Sequence, residues 1–336
     1  MKRKVSLKDI AQKVGVSTAL VSYVLNGQEK QKRVGEEIAQ KIKQAAKELN
    51  YQPNQIAKSL KSGKTHTLGL IVADIANPFS ANIARIIEDE AKQHKYNVVF
   101  GSSDENAEKA WDLIKVLLNR QIDGFIIALA ENAEEQIQYL KEHHIPFVLI
   151  DRYFPEVQAS YVALDNFKAA YDGVEHLIRK GYKRIGMINF ESGLFHLQER
   201  TRAYHQALQD FNLSAEPGWY REVNEDRLKD DMEQHLQQLL LSEEPVEALF
   251  LASNKIAING LKFINERKLR VPEDVAIIGF DETDAYDLFY CPVTHIRQPM
   301  AEIGRNAVQA LLKLIDGDDT QTQLNLEATL VVKSSC

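Results

Sequence analysis

The sequence predicts a small all-α head containing a helix-turn-helix, followed by an α/β body of two lobes, each built on a doubly wound parallel sheet. Two short helical segments joined by a tight turn begin the chain, and short apolar runs alternate with amphipathic helical runs from residue 67 onward. Alternation at this spacing is typical of parallel sheets covered by helices. About 270 residues of it are too many for one small sheet, so we expect two lobes.

The first helix is predicted from its two ends. Ser6 is a good N-cap, and Asp9 stands three residues later, where its carboxylate can reach back to the cap. Gly15 ends the helix. Between these ends an apolar stripe follows helical spacing: Leu7, Ile10, Ala11 and Val14.

The second helix is capped by Ser17, ended by Asn26-Gly27, and divided into two faces. One arc of about 140° is apolar and must face a core: Leu20, Val21, Val24 and Leu25. The opposite arc carries small, hydrogen-bonding and aromatic side chains: Thr18, Ala19, Ser22 and Tyr23. A helix-turn-helix presents such a strip to the major groove of DNA, although a plain helical hairpin with a solvated face fits the same periodicity.

The distribution of charge favours the helix-turn-helix. The whole chain has a formal charge of −7, but residues 1–64 contain 14 Lys and Arg against 5 Asp and Glu. The remaining residues contain 27 against 43. A basic head on an acidic body indicates that only the head binds a polyanion.

A third helix is predicted from Glu36 to Leu49, and a short helical segment covers residues 54–61 before a linker that ends at His66. So short a helix is marginal alone, because nucleation is costly, and it should fold only against a partner. We therefore assign residues 1–53 to the head, 54–66 to a hinge helix with its linker, and 67–336 to the body.

The body repeats strand and helix up to a helix over residues 299–315 and a last strand-like run over 324–332. We expect lobe one to contain about 67–164 plus 297–322, and lobe two about 165–296 plus 323–336. Ligands of such sheets bind beyond the carboxyl ends of the strands.

Polar side chains follow five of the predicted strands. They are Asp74 and Asn77, residues 102–104, Asp151 and Arg152, Asn254, and Asp281. Each set alone is a turn or a helix cap, but five sets at the same topological position favour a polar ligand. Carboxylates, an arginine and an amide, with Phe79 nearby, suit a sugar or a similar polyol.

Other functional classes lack support in the sequence. There is no dinucleotide or P-loop glycine motif, no nucleophile elbow, no apolar run of 18 residues and no secretory signal. The two cysteines, Cys291 and Cys336, have no metal spacing. The acidic cluster at 281–284 could bind a cation, although a loop after a strand is the simpler interpretation. We expect a cytoplasmic protein that is not an enzyme and has no metal or cofactor.

Four stretches together resemble the lactose-repressor (LacI/GalR-type) family of bacterial transcription regulators. They are residues 6–27, which match the head signature, residues 51–60, which match the hinge, and residues 151–152 and 271–281, which match motifs of the body. The resemblance implies a homodimer whose bodies resemble periplasmic sugar-binding proteins. It also implies a repressor that binds a palindromic operator and is controlled allosterically by a small effector, a sugar or a sugar derivative.

The resemblance also implies the DNA-contacting residues. Thr18, Ala19 and Tyr23 would face base edges, and Ser17, Ser22 and Asn26 would contact phosphates. Leu60 would insert into the central minor groove. The set is completed by residues that support the backbone contacts or adjoin them: Ser6, Tyr51, Asn54, Ala57 and Lys58. Leu20 stands where the family commonly has Thr, so one phosphate contact is expected to be missing.

For the effector, the family pattern falls on seven residues: Asp74, Phe79, Asp151, Arg152, Arg200, Asn254 and Asp281. Lys255 stands where the family usually has Asp, and we expect it to favour an anionic ligand. Because no heptad pattern follows Leu330, we expect a dimer rather than a tetramer. Two alternatives are a sugar-transport component with a tethering head and an enzyme acting on the bound sugar. Induction or co-repression by the effector stays open.

Overall fold

The computed structural model of the protein describes residues 5–52 and 63–336. By the density of its internal contacts the chain divides into two compact units, Met1–Thr65 and His66–Cys336, which we call the head and the body. Each is described by itself.

In its described residues, 5–52, the head consists of three helices packed around one small core. Its helices are α1 (Leu7–Val14), α2 (Thr18–Leu25) and α3 (Glu36–Glu48). Ile10 of α1, Val21 of α2 and Ile42 of α3 are all fully buried against one another. Gly15 ends α1 with a φ of +76°, a left-handed conformation that glycine adopts without strain.

Lobe one of the body contains a six-stranded sheet in which every neighbouring pair is parallel. Its strands are β1 (Thr67–Val72), β2 (Asn97–Ser102), β3 (Gly124–Ile127), β4 (Phe147–Ile150), β5 (Tyr161–Leu164) and β11 (Gln323–Leu326), in the order β11-β5-β4-β3-β1-β2. Its helices are α4 (Pro78–Gln93), α5 (Ala107–Asn119), α6 (Glu134–Glu142) and α12 (Met300–Ile315).

Lobe two contains a second six-stranded sheet, in which only the pair of β10 and β12 is antiparallel. Its strands are β6 (Ile185–Phe190), β7 (Tyr220–Val223), β8 (Ala248–Leu251), β9 (Ala276–Phe280), β10 (Thr294–Arg297) and β12 (Thr329–Val331), in the order β12-β10-β9-β8-β6-β7. Its helices are α7 (Asn166–Arg179), α8 (Phe195–Asp210), α9 (Leu228–Leu240), α10 (Asn254–Glu266) and α11 (Asp284–Leu288), with a 3₁₀ turn at Glu225–Arg227.

Both sheets are buried on both faces. In β3, Phe125 and Ile127 pack in one apolar cluster while Ile126 packs in the cluster on the opposite face. In β9, Ile277 packs in the apolar cluster on one face of the sheet and Ile278 packs in the cluster on the other face. Continuous apolar strands are what a doubly covered parallel sheet requires, and they carry the fold prediction. The predicted fold class is confirmed.

Three details of the sequence prediction are wrong. The last strand-like run is two strands: β11 pairs with β5 in lobe one, and β12 pairs with β10 in lobe two. Residues 323–326 therefore belong to lobe one, not to lobe two as predicted. Strands β5, β7 and β10 were also not predicted; β7 and β10 mix charged or polar with apolar side chains, which weakens the signal of a buried strand.

No helix in the described part of the chain is both long and apolar enough to cross a membrane.

Candidate functional site

In the head, α2 exposes the strip of side chains that the sequence predicts. Thr18 and Ala19 are exposed at its first turn, and Ser22 and Tyr23 are partly buried, whereas Val21 and Val24 are enclosed in the core. The Nζ of Lys32 lies 5.4 Å from the centroid of the Tyr23 ring, a distance at which a cation and an aromatic face attract.

Several predicted DNA-contacting residues also hold helix ends. The hydroxyl of Ser17 accepts a hydrogen bond from the backbone N–H of Leu20 (3.2 Å). The side-chain amide of Asn26 donates to the backbone oxygen (2.8 Å) and hydroxyl (3.2 Å) of Ser22. Both the backbone N–H and the hydroxyl of Ser6 donate to Asp9 at 2.7 Å. These bonds fix the direction in which each polar group points.

The last predicted residues of this surface divide into two groups. Tyr51 is partly buried against the head core. The other four lie outside the residues that the structure describes: Asn54, Ala57, Lys58 and Leu60.

In the body, all seven predicted effector residues line one cleft of about 660 Å³ between the lobes. Lobe one contributes Asp74, Phe79, Asp151 and Arg152; lobe two contributes Arg200, Asn254 and Asp281. They meet because the carboxyl ends of both parallel sheets face this cleft.

Two aspartates occupy matching positions in the two lobes. Asp151 directly follows β4 with a φ of +65°, and Asp281 directly follows β9 with a φ of +64°. Both are buried. Burial raises the pKa of Asp151, and the guanidinium groups of Arg152 and Arg200 oppose that rise without cancelling it. Asp281 accepts a hydrogen bond from the side-chain amide of Gln298 (2.6 Å).

Arg200, on α8, is buried and held in one orientation. Its Nε donates to Oδ1 of Asn166 (2.8 Å), its Nη1 donates to the backbone oxygen of Ala252 (2.7 Å), and its guanidinium lies 3.6 Å from the centroid of Phe280. Burial lowers its pKa to about 10, so the group stays charged at pH 7. Since no described residue bonds to Nη2, this nitrogen is available to a ligand.

Arg152 is fixed within lobe one by Glu105. Its Nη1 and Nη2 donate to the two oxygens of that carboxylate (2.6 and 2.8 Å), and Nη1 also donates to the backbone oxygen of Leu129 (2.9 Å). Burial alone would lower the pKa of Arg152, but the carboxylate of Glu105 raises it above its ordinary value. Such a two-fold bond is strong and geometrically specific.

Direct bonds cross the cleft from one lobe to the other. The side-chain amide of Asn254 donates to Oδ1 of Asn77 (2.8 Å). The Nζ of Lys255 donates to Oδ2 of Asp74 across the cleft (2.7 Å) and to Oε1 of Glu225 in its own lobe (2.6 Å). Although burial opposes it, the bond from Lys255 lowers the pKa of Asp74. In this structure the charge of Lys255 is therefore shared between two carboxylates, and the expectation that it favours an anionic ligand stays a prediction.

Sequence reasoning missed other residues that line the cleft, among them Glu105, His196, Glu225 and Gln298. His196 lies one helical turn before Arg200, and that spacing on α8 was the available signal. Burial and the two nearby guanidinium groups hold the pKa of His196 well below its ordinary value, so its ring is neutral at pH 7. Glu105 follows the polar end of β2, but nothing local indicates its bond with Arg152.

A helix-turn-helix head joined to a two-lobed body with a polar cleft defines a class: DNA-binding regulators that carry a ligand-binding body. The family described as "Bacterial regulatory proteins, lacI family" matches residues 6–54, and the "Periplasmic binding protein-like domain" matches residues 174–336.

Relatives of full length agree with this class. The catabolite control protein A of Priestia megaterium is 32% identical over 322 residues, covering 95% of each chain. The ribose operon repressor of Haemophilus influenzae is 30% identical and covers 98% of each chain. A crystal structure of the lac repressor dimer bound to operator and an anti-inducer has the same fold, with a TM-score of 0.88 at 24% identity over 99% of each chain. The chain belongs to the LacI family of bacterial transcription regulators, and the predicted family is confirmed.

Proposed function

We propose that this protein is a repressor that binds a palindromic operator as a homodimer and responds to a small sugar-like effector in the cleft. One observation carries the proposal: in a chain with an exposed helix-turn-helix strip, four polar residues from both lobes line a single cleft. They are Asp151, Arg200, Asn254 and Asp281. A ligand that bonds to both lobes favours one arrangement of them over the other, which is what control by a ligand requires.

The proposal assigns the major-groove contacts to residues 1–53 and the minor-groove contact to the hinge within 54–66. It places the protein in the bacterial cytoplasm, on the nucleoid when it is bound to DNA. The dimer is supported by large apolar side chains that are exposed on the body. Leu288 and Tyr290 are 85% and 59% exposed in lobe two, and Phe100 is 55% exposed on the edge strand β2 of lobe one. Apolar groups that are exposed together, as Leu288 and Tyr290 are two residues apart in the chain, are one mark of a protein interface.

A linkage experiment tests the proposed function. The operator is first found by gel shift with the DNA upstream of the gene, and an effector by a thermal-shift screen of sugars, since binding stabilises the folded chain. We expect effector affinity, measured by calorimetry, to change by about 5- to 150-fold when operator is present, with the same factor acting on operator affinity. Equal effector affinities with and without operator would rule out allosteric control.

A variant in the predicted hinge tests the minor-groove contact. Leu60 lies outside the described residues, so its role is a proposal from the resemblance. We expect Leu60→Ala to weaken operator binding by about tenfold or more and binding to random DNA by much less, because a wedge acts only where a base step kinks easily. Gel shifts on both DNAs measure the ratio. Lys58→Ala is the matched control, and it should weaken both DNAs alike and lower the salt slope by about one. Equal losses for Leu60→Ala would contradict the wedge.

A further inference from the structure

The cleft carries a large excess of negative groups. Among the described residues that line it, nine are Asp or Glu and three are Lys or Arg. The one histidine, His196, is neutral at pH 7, because burial and nearby arginines lower its pKa. An anionic ligand would therefore enter a field of like charge, which is repulsive unless a free cation receives it.

None of the three cations is free. Arg152 binds both oxygens of Glu105. Lys255 binds two carboxylates, Asp74 and Glu225, with both distances under 2.8 Å. Arg200 donates from Nε and Nη1 to other residues, and only its Nη2 group has no hydrogen-bond partner among the described residues. A single NH2 group can bind a hydroxyl oxygen, but it cannot surround a phosphate or carboxylate.

The two buried aspartates need hydrogen-bond donors. Asp151 accepts no hydrogen bond from the described residues; among them its one ion pair within 4 Å is with Nε of Arg152, at 3.4 Å, and Arg200 lies farther away. Asp281 accepts one hydrogen bond, from Gln298. Buried carboxylates with free acceptor sites are satisfied by donors, and the hydroxyl groups of a polyol provide several at once.

We propose that the cleft takes an uncharged polyol and excludes its phosphorylated or carboxylated forms, and that Asp74 and Glu225 determine this specificity by neutralising Lys255. The inference rests on the proposed function, since it concerns the effector of the same cleft. It assigns the two carboxylates a role in ligand choice, as groups that position a cation and cancel its charge.

The test releases Lys255 and measures anion binding. The probes are inorganic phosphate and glucose 6-phosphate, added to the full chain without DNA, and the readouts are thermal unfolding and calorimetry. We expect the parent protein to show no stabilisation by either probe. We expect Asp74→Asn with Glu225→Gln to bind both at least about tenfold more tightly, because two unit charges beside the ammonium are removed. Adding Lys255→Met to that double variant should abolish the gain.

A control variant distinguishes the effect of removing charges inside the cleft from the effect of changing the net charge of the protein. Asp89 and Glu243 are exposed outside the cleft, one in each lobe, so Asp89→Asn with Glu243→Gln changes the charge equally. This pair should not gain anion binding. If the double variant folds poorly, each single variant should still show part of the gain.

Two results would overturn the inference. One is stabilisation of the parent protein by either probe that is lost in Lys255→Met; the other is no gain in the double and single variants. Failure of the proposed function would appear separately, as the absence of operator binding, because the anion assay contains no DNA.

Discussion

Replacing Asp151 by Asn is expected to lower the affinity of the cleft for its effector by about 10- to 100-fold while leaving the folded chain as stable as the parent or more stable. The affinity falls because a carboxylate oxygen that accepts a ligand hydroxyl is replaced by an amide N–H. Stability is kept for two reasons. The buried carboxylate accepts no hydrogen bond from the described residues, so none is lost. Burial also raises its pKa, which means that the ionised form is disfavoured in the folded state.

The pH dependence follows from the sign of that shift. A carboxyl group whose pKa is higher in the folded chain destabilises the fold when it is ionised. This cost begins to fall as the pH drops to the folded-state pKa, and it is gone below the lower pKa of the unfolded chain. The difference in unfolding free energy between Asp151→Asn and the parent should therefore be largest at neutral pH and should vanish in acid. Urea unfolding across pH measures it, and calorimetry with the effector measures affinity.

Asp281→Asn is the comparison variant, because Asp281 occupies the matching position in lobe two but accepts a hydrogen bond from Gln298. Asp281→Asn should lose effector affinity as well. Its free energy of unfolding should rise by less than that of Asp151→Asn, or should fall slightly. A clear loss of stability in Asp151→Asn at pH 7 would contradict our account of Asp151.

The positions around the cleft could be predicted from the sequence because they follow from local patterns. Asp151 and Asp281 come directly after apolar runs that can only be buried strands, and the carboxyl ends of parallel strands share one edge. The head is similar: the cap at Ser17 and the two faces of α2 are set within ten residues of chain.

The partners of those side chains could not be predicted. Lys255 bonds to Asp74, 181 residues away in sequence, and the sequence shows the charge of the lysine without showing what neutralises it. The division of the last strand-like run between two sheets could not be predicted from the sequence either. Nothing local between Leu326 and Thr329 indicates that the chain leaves one sheet for the other, because the pattern of side chains continues as a strand would.

Replacing Arg200 by Met is expected to destabilise the body by about 3 to 5 kcal/mol and to abolish effector binding, since removing one member of a buried charged network leaves the others uncompensated. Oδ1 of Asn166 and the backbone oxygen of Ala252 would lose their donor, and Asp151 would lose one of the two nearby positive charges that oppose its raised pKa. Urea unfolding and calorimetry measure the two effects. Arg202→Met, two residues along α8, is the control: Arg202 is exposed and pairs with Glu199, so its loss should cost about 1 kcal/mol or less.

The double variant Arg200→Met with Asp151→Asn separates lost packing from uncompensated charge. If the cost of Arg200→Met comes from leaving Asp151 ionised without its counter-charge, neutralising Asp151 should recover part of it, and the two changes should be non-additive by about 1 kcal/mol or more. Strict additivity, or a cost for Arg200→Met no larger than that of Arg202→Met, would mean that Arg200 does not balance the buried aspartates. Partial recovery would mean that the same arginine that faces the effector also offsets the charge of Asp151 and limits the rise of its pKa.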